Sequence, residues 1–150
     1  MTPTEITAYV AAADTLVLVT TGSDGVPDPV PMWFVTPDGE IRMRTYAASQ
    51  KVVNLRRDPR VSGLIADGNR YDELRGVQLT GRITLVDDPE WIADVVIGLR
   101  IKYEGLAPGE AASVRSGVLA AVNKQIGLRF DVDRTVSWDH RKLRAAPAPR

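Results

Sequence analysis

The sequence contains no cysteine. That excludes a thiolate nucleophile, an iron–sulfur cluster, a thiolate zinc site and a disulfide framework. Histidine is almost as scarce: His140 is the only one, so paired-histidine metal motifs are missing too. There is no excess of either charge, since nineteen Lys and Arg offset nineteen Asp and Glu and the sequence pI is near 6.6. Such a balance argues against nucleic-acid or membrane-surface binding through overall charge. No apolar run reaches the ~18–20 residues of a spanning helix. Met1-Thr2-Pro3-Thr4-Glu5 lacks the basic-then-apolar order of a signal peptide. The expectation is a soluble cytoplasmic protein. Its 150 residues, 44% of them hydrophobic, suit one domain with its own core.

What is present in the first half is mostly strand and turn. Thr2, Pro3 and Glu5 compose a capping box with proline at the first helical position, and Ile6, Tyr9, Val10 and Ala13 follow at helical spacing. Leu16 to Thr21 is short and β-branched, which predicts a strand. Pro27, Pro29 and Pro31 lead into a second strand, Met32 to Val35. Prolines cannot donate to a ladder, so this entry belongs at a sheet edge or bulge. A turn at Pro37-Asp38-Gly39 starts a third strand, Glu40 to Tyr46, with Ile41, Met43 and Thr45 on one face and Arg42 and Arg44 on the other. Read as hairpins in series, these strands form a meander.

Ser49 is placed to cap a short helix, Gln50 to Arg57. Further strands are expected at Val61 to Ala66 and Gly76 to Val86. The longest helix starts at Asp87-Asp88-Pro89-Glu90 and carries Trp91, Val95, Leu99 and Tyr103 on one stripe. A weaker helix over 110–123, a last strand or two between Gly127 and Trp138, and a loose tail at 144–150 complete the chain. No repeat or linker divides it, so 1–150 reads as a single domain. Clustered strands with inserted helices predict an α+β fold, closed as a six-stranded antiparallel barrel because closure removes exposed edges.

Most catalytic templates fail. There is no Gly-x-Ser-x-Gly, no Walker loop and no Gly-x-Gly-x-x-Gly. His140, in Trp138-Asp139-His140-Arg141-Lys142, reads as a solvent-exposed histidine, and Asp87-Asp88 reads as helix capping. An enzyme built this way needs a cofactor to bring the reactive atom. One local feature stands out: residues 41–60 hold Arg42, Arg44, Lys51, Arg56, Arg57 and Arg60 against Asp58 alone, a local charge of +5. Within it, a strand end passes through Tyr46-Ala47-Ala48 to a helix start. Free amides there, the Ser49 hydroxyl and the Lys51 ammonium can converge on an anion such as phosphate. A capped helix with solvated bases is the other reading of the same residues. Trp33 likewise reads either as core or as a flat wall beside the anion site, which would suit a flavin-like ring.

Five motifs in register carry a resemblance: Asp24-Gly25-x-Pro27, Pro31-Met32-Trp33-Phe34, Arg44-Thr45, Ser49-x-Lys51-x-x-Asn54-Leu55-x-x-Asp58-Pro59-Arg60-Val61, and Gly76-Val77-x-Leu79-x-Gly81. The sequence resembles the pyridoxamine-phosphate-oxidase-like, FMN-binding split β-barrels, and among them the actinobacterial flavin/deazaflavin oxidoreductases of the B group. The resemblance implies a homodimer with cofactor at the subunit interface. It implies FMN or the deazaflavin coenzyme F420 lying against Pro31, Met32 and Trp33. Ser49, Gln50 and Lys51 would hold the phosphate, with Arg44, Thr45 and Asn54 close by and Trp138 reaching the other subunit's cofactor. The arginine and histidine block of true pyridoxamine phosphate oxidases is missing, which argues against vitamin-B6 oxidation. The arginine usual in FMN-binding members is missing at Val30-Pro31-Met32, which favours F420. The implied activity is hydride transfer between reduced deazaflavin and a small conjugated substrate. The alternatives are an FMN-dependent oxidase or reductase and a non-catalytic cofactor, haem or lipid binder.

Overall fold

Thr2 caps the first helix, α1 (Pro3–Ala12), as its sequence requires. Its hydroxyl accepts from the Glu5 amide at 3.3 Å, and the Glu5 carboxylate accepts from the Thr2 amide at 2.6 Å. Of the computed structural model, residues 1–145 are described here. The expected tail falls mostly outside them. After α1 come β1 (Leu16–Thr21), β2 (Pro27–Met32), β3 (Ile41–Tyr46), α2 (Gln50–Arg57), β4 (Arg60–Asp67) and β5 (Arg75–Val86). Then follow α3 (Pro89–Glu104), α4 (Ala111–Ala121) and β6 (Gln125–Asp139).

All pairings are antiparallel, in the order β2-β1-β4-β5-β6-β3. The result is a curled half-barrel of α+β class. Its apolar interior gathers Leu16, Phe34, Met43, Val77 and Leu128, each fully buried. The proline-rich β2 is an edge strand, as its missing donors demand. It lies earlier than expected, ending at Met32, and Trp33 and Phe34 leave the ladder. The meander is corrected as well. β3 pairs with β6, and its backbone meets the β2 side in one isolated bridge, between Val35 and Arg42. That bridge marks the seam of the barrel.

β6 is one strand of 15 residues rather than two short ones, and a register shift opposite Gly81 lets it bend with β5. The third helix buries more than one stripe: Ile92, Ala93, Val96 and Ile97 are buried alongside Val95 and Leu99. α4 explains this, because its Val118 and the following Val122 pack on α3 to make a second, smaller core. Asp88 caps α3 by accepting from the Glu90 amide at 2.9 Å. No described helix is long and apolar enough to cross a membrane.

Candidate functional site

β3 ends at Tyr46, and a tight turn delivers the chain to α2. The Ala47 amide donates to Lys124 O at 3.0 Å, and the Ser49 amide to Tyr46 O at 3.0 Å. Ser49 occupies the N-cap position, but its side chain does not cap the helix, which corrects the expectation. The reason is the company it keeps: its Oγ lies 3.4 Å from Thr45 Oγ1 instead. Among the described residues nothing accepts from the amides of Gln50 and Lys51. Lys51 Nζ also reaches Thr45 Oγ1, at 3.4 Å, and has no carboxylate within salt-bridge distance among the described residues. Two hydroxyls, two backbone amides and an ammonium thus surround one rim of the barrel. A donor set of this kind, at a helix start, fits a tetrahedral oxyanion such as phosphate.

Behind this cradle Asn54 is 1% exposed. Its Nδ2 donates to Thr20 Oγ1 at 3.0 Å and to Asp28 Oδ2 at 3.2 Å, and its Oδ1 accepts from Gln50 Nε2 at 3.1 Å. One buried, satisfied amide therefore pins α2 to β1 and β2.

Trp33 and Arg44 belong to another part of the molecule. Arg44 and Thr45 are neighbours on a strand and point to opposite faces, Thr45 into the barrel and Arg44 toward α3 and α4. The Val35–Arg42 bridge carries Trp33 across the seam from Arg44, and both line a cavity of about 130 Å³ shared with Leu99, Val118, Val122 and Gln125. The Trp33 indole stacks on Tyr103, with ring centroids 4.5 Å apart and planes 4° from parallel, yet it stays 50% exposed. Below it, Tyr103 Oη donates to Phe34 O at 3.0 Å and accepts from the Phe34 amide at 3.3 Å. Lys102 Nζ donates to Ala13 O at 2.7 Å and Phe34 O at 3.2 Å. Burial pushes the Tyr103 hydroxyl above its ordinary pKa and the Lys102 ammonium below its own. These bonds tie the irregular Trp33–Phe34 segment to α3.

Met32 is in the barrel core, and Pro31 is exposed on the outer side of β2. Trp138 sits opposite Gly76, its ring where any β-carbon at that position would stand. From there to Val86, opposite Gly127 at the Arg44 end, β5 runs ten residues, on the order of 30 Å of strand. The basic stretch is likewise dispersed. Arg42 pairs with Glu40 beneath Trp91, Arg57 donates to Thr21 O, and Arg60 pairs with Asp58. Lys51 alone of that stretch reaches the cradle. His140 is a clasp: its Nδ1 lies 2.8 Å from Tyr71 O, and its amide donates to Leu74 O. Sequence reasoning missed Tyr103 and Gln125 as site residues. Tyr103 was visible only as one of a helical stripe, and Gln125 carried no signal at all.

A six-stranded antiparallel half-barrel, split at one seam, defines the split-barrel class. The pyridoxamine 5'-phosphate oxidase family model matches residues 2–127, and the chain belongs to that family. A conserved hypothetical protein of Mycobacterium tuberculosis is 42% identical over 100% of this chain and 91% of its own, with a TM-score of 0.88. An F420 reductase is 19% identical, over 86% of this chain and 94% of its own, with a TM-score of 0.63. HutZ, the heme storage protein from Vibrio cholerae, is 16% identical, over 91% and 93%, with a TM-score of 0.67. The last two likenesses show the fold alone. No curated protein matches the chain.

Proposed function

We propose that this chain is an F420-dependent oxidoreductase that works as a homodimer on a small conjugated substrate. The observation that carries the reading is the cradle of Thr45, Ser49 and Lys51, two hydroxyls and an ammonium, beside the two free α2 amides. Thr45, Ser49, Gln50 and Lys51 would hold the cofactor phosphate, and Asn54 would keep α2 in place for them. When bound, reduced F420 supplies a hydride to the electron-poor carbon of the acceptor. The chain then has only to orient both molecules and exclude water, which agrees with its lack of cysteine and its single, clasped histidine. An F420 reductase among the similar folds supports the choice of cofactor, as does the absence of an arginine at Val30-Pro31-Met32.

The dimer reading rests on the outer face of the sheet. Pro31, Val17, Leu64, Gln78 and Val136 stand in one cross-strand row there, with Leu64 39% and Val136 44% exposed. A second copy on this face would bring its Trp138 toward a cradle that this chain's own Trp138 is too far along the ladder to serve.

The test is a pair of equilibrium titrations, with F420 and with FMN, followed by fluorescence on the wild type and on Lys51→Ala. Micromolar F420 binding is expected, weakened by roughly ten- to a hundredfold in the variant, the worth of one charge-assisted hydrogen bond to phosphate. Preference for FMN would move the protein to a flavin oxidoreductase. Binding of neither would sink the cofactor assignment and leave the barrel standing.

A further inference from the structure

Two irregularities of the structure coincide in the cavity beside Trp33. Six described arginines are partly buried: Arg42, Arg44, Arg75, Arg100, Arg115 and Arg129. Among the described residues five of them have a carboxylate within 4.0 Å, and Arg44 has none. Among the described residues it also makes no side-chain hydrogen bond. A partly buried guanidinium on a cavity lining, with no protein partner, leaves its donor fork free for a ligand. The second irregularity is Gln125, whose Oε1 is the single buried side-chain polar atom without a hydrogen-bond partner among the described residues.

The topology explains why they meet. Arg44 pairs with Gly127 and Tyr46 with Gln125 in the β3–β6 ladder. Arg44 and Gln125 therefore share a face as diagonal neighbours, within reach of long side chains. Both line the cavity of about 130 Å³ closed by Leu99, Val118 and Val122. Trp33 forms its remaining wall, with one face of the indole on Tyr103 and half of its surface open. Arg100 and Glu104, also on the lining, lie 3.9 Å apart and offset one another. The net charge presented by the cavity is thus that of Arg44.

We infer that this cavity is a carboxylate subsite for a small planar conjugated acid. A carboxylate offers enough lone pairs to take the Arg44 fork bidentately and one further donor. Gln125 supplies that donor when its terminal amide turns over, since the last torsion of glutamine is broad and two-fold. The conjugated body of the acid lies on the free indole face and against the apolar side chains from α3 and α4. On the reductase reading above, on which this assignment of role depends, the occupant is the hydride acceptor. The binding itself does not depend on it.

The test uses trans-cinnamate as the probe, with cinnamyl alcohol as its uncharged counterpart. Calorimetric titration of the cofactor-free protein is expected to show cinnamate binding at least tenfold tighter than the alcohol. Arg44→Met and Gln125→Met should each weaken cinnamate at least tenfold and leave the alcohol unchanged, with F420 affinity retained. Lys51→Ala should do the reverse, leaving cinnamate binding intact. Arg44→Lys provides a folded variant with the charge kept and the fork lost, and intermediate binding is expected. Equal binding of acid and alcohol would overturn the subsite. So would failure of cinnamate to bind at millimolar concentration, and a lowered Tm in Arg44→Met and Gln125→Met would then show that the two side chains serve only each other. Arg44-dependent binding in a protein that takes no F420 would sustain the subsite and refute the reductase reading.

Discussion

The cradle at α2 and the cavity beside Trp33 are built in opposite ways, although adjacent residues of β3 feed them both. Thr45 enters the cradle with Ser49, Gln50, Lys51 and Asn54, all from ten consecutive residues. Arg44 enters a cavity whose other members come from the seam, α3, α4 and the start of β6. In the cradle every buried polar atom is satisfied by its neighbours, and the unsatisfied groups are the ones facing outward. Around the cavity, Gln125 Oε1 is buried without a partner, and Arg44 has no carboxylate within 4.0 Å among the described residues. A site assembled locally exposes donors because a helix start leaves amides free. One assembled from distant elements can hold unpaired groups only because the surrounding core is rigid enough to keep them apart.

The largest expected effect comes from breaking the cradle's foundation. Asn54→Ala leaves Thr20 Oγ1, Asp28 and Gln50 without the amide that joins them. A loss of about 3 kcal/mol is expected, at the upper end for stranding buried polar partners, or roughly 6–12 °C in Tm. Phosphate-bearing ligands should weaken in step, while cinnamate binding per folded molecule stays as it was. Urea unfolding with paired titrations checks this, and an unchanged midpoint would remove Asn54 from the account.

Gly127→Ala attacks the other side. A β-carbon there would lie 2.2 Å from Cζ3 of Trp91. The rigid indole of Trp91, carried on the first turn of α3, must shift, at a cost of about 2 kcal/mol. Because Gly127 is opposite Arg44 and α3 lines the cavity, cinnamate affinity should fall at least threefold. The cradle, fed by Thr45 from the other face of the neighbouring β3, should keep its F420 affinity. Equal losses at both sites would mean that they are a single unit.

The contrast also explains what was legible in the sequence. Ser49, Lys51 and Asn54 stand in one short motif, so local spacing alone brings them to one helix start, and the prolines of β2 announce an edge strand. What failed was the pairing of β3. Alternation shows which residues share a face and says nothing about the partner strand, so the nearest candidate, β2, was preferred to β6, about eighty residues later. The missed pairing hid Gln125, since only the β3–β6 register sets it diagonal to Arg44. The bare Ser49 side chain was hidden similarly, because competition from Thr45 depends on the turn geometry.

The smallest effect should come from a place remote from both sites. Lys142 Nζ lies 2.7 and 2.8 Å from the two Glu5 oxygens, clasping α1 to the segment after β6. This ammonium first, and the Thr2 amide second, hold the Glu5 carboxyl at about 2, well below its ordinary 4.5. A carboxylate with a depressed native pKa stabilises the fold fully above its unfolded value and loses that contribution as pH falls through the native one. The window is therefore roughly pH 4.5 down to 2. Lys142→Ala should lower Tm only slightly at pH 7, because the pair is exposed and solvent screens it. The two Tm curves should then converge as pH falls across that window, with F420 and cinnamate affinities unaltered at neutral pH. Curves that stay parallel down to pH 2 would show that the clasp stabilises by packing of the lysine stem rather than by charge. A change in either affinity would mean that α1 communicates with the sites, against the separation argued for the cradle and the cavity.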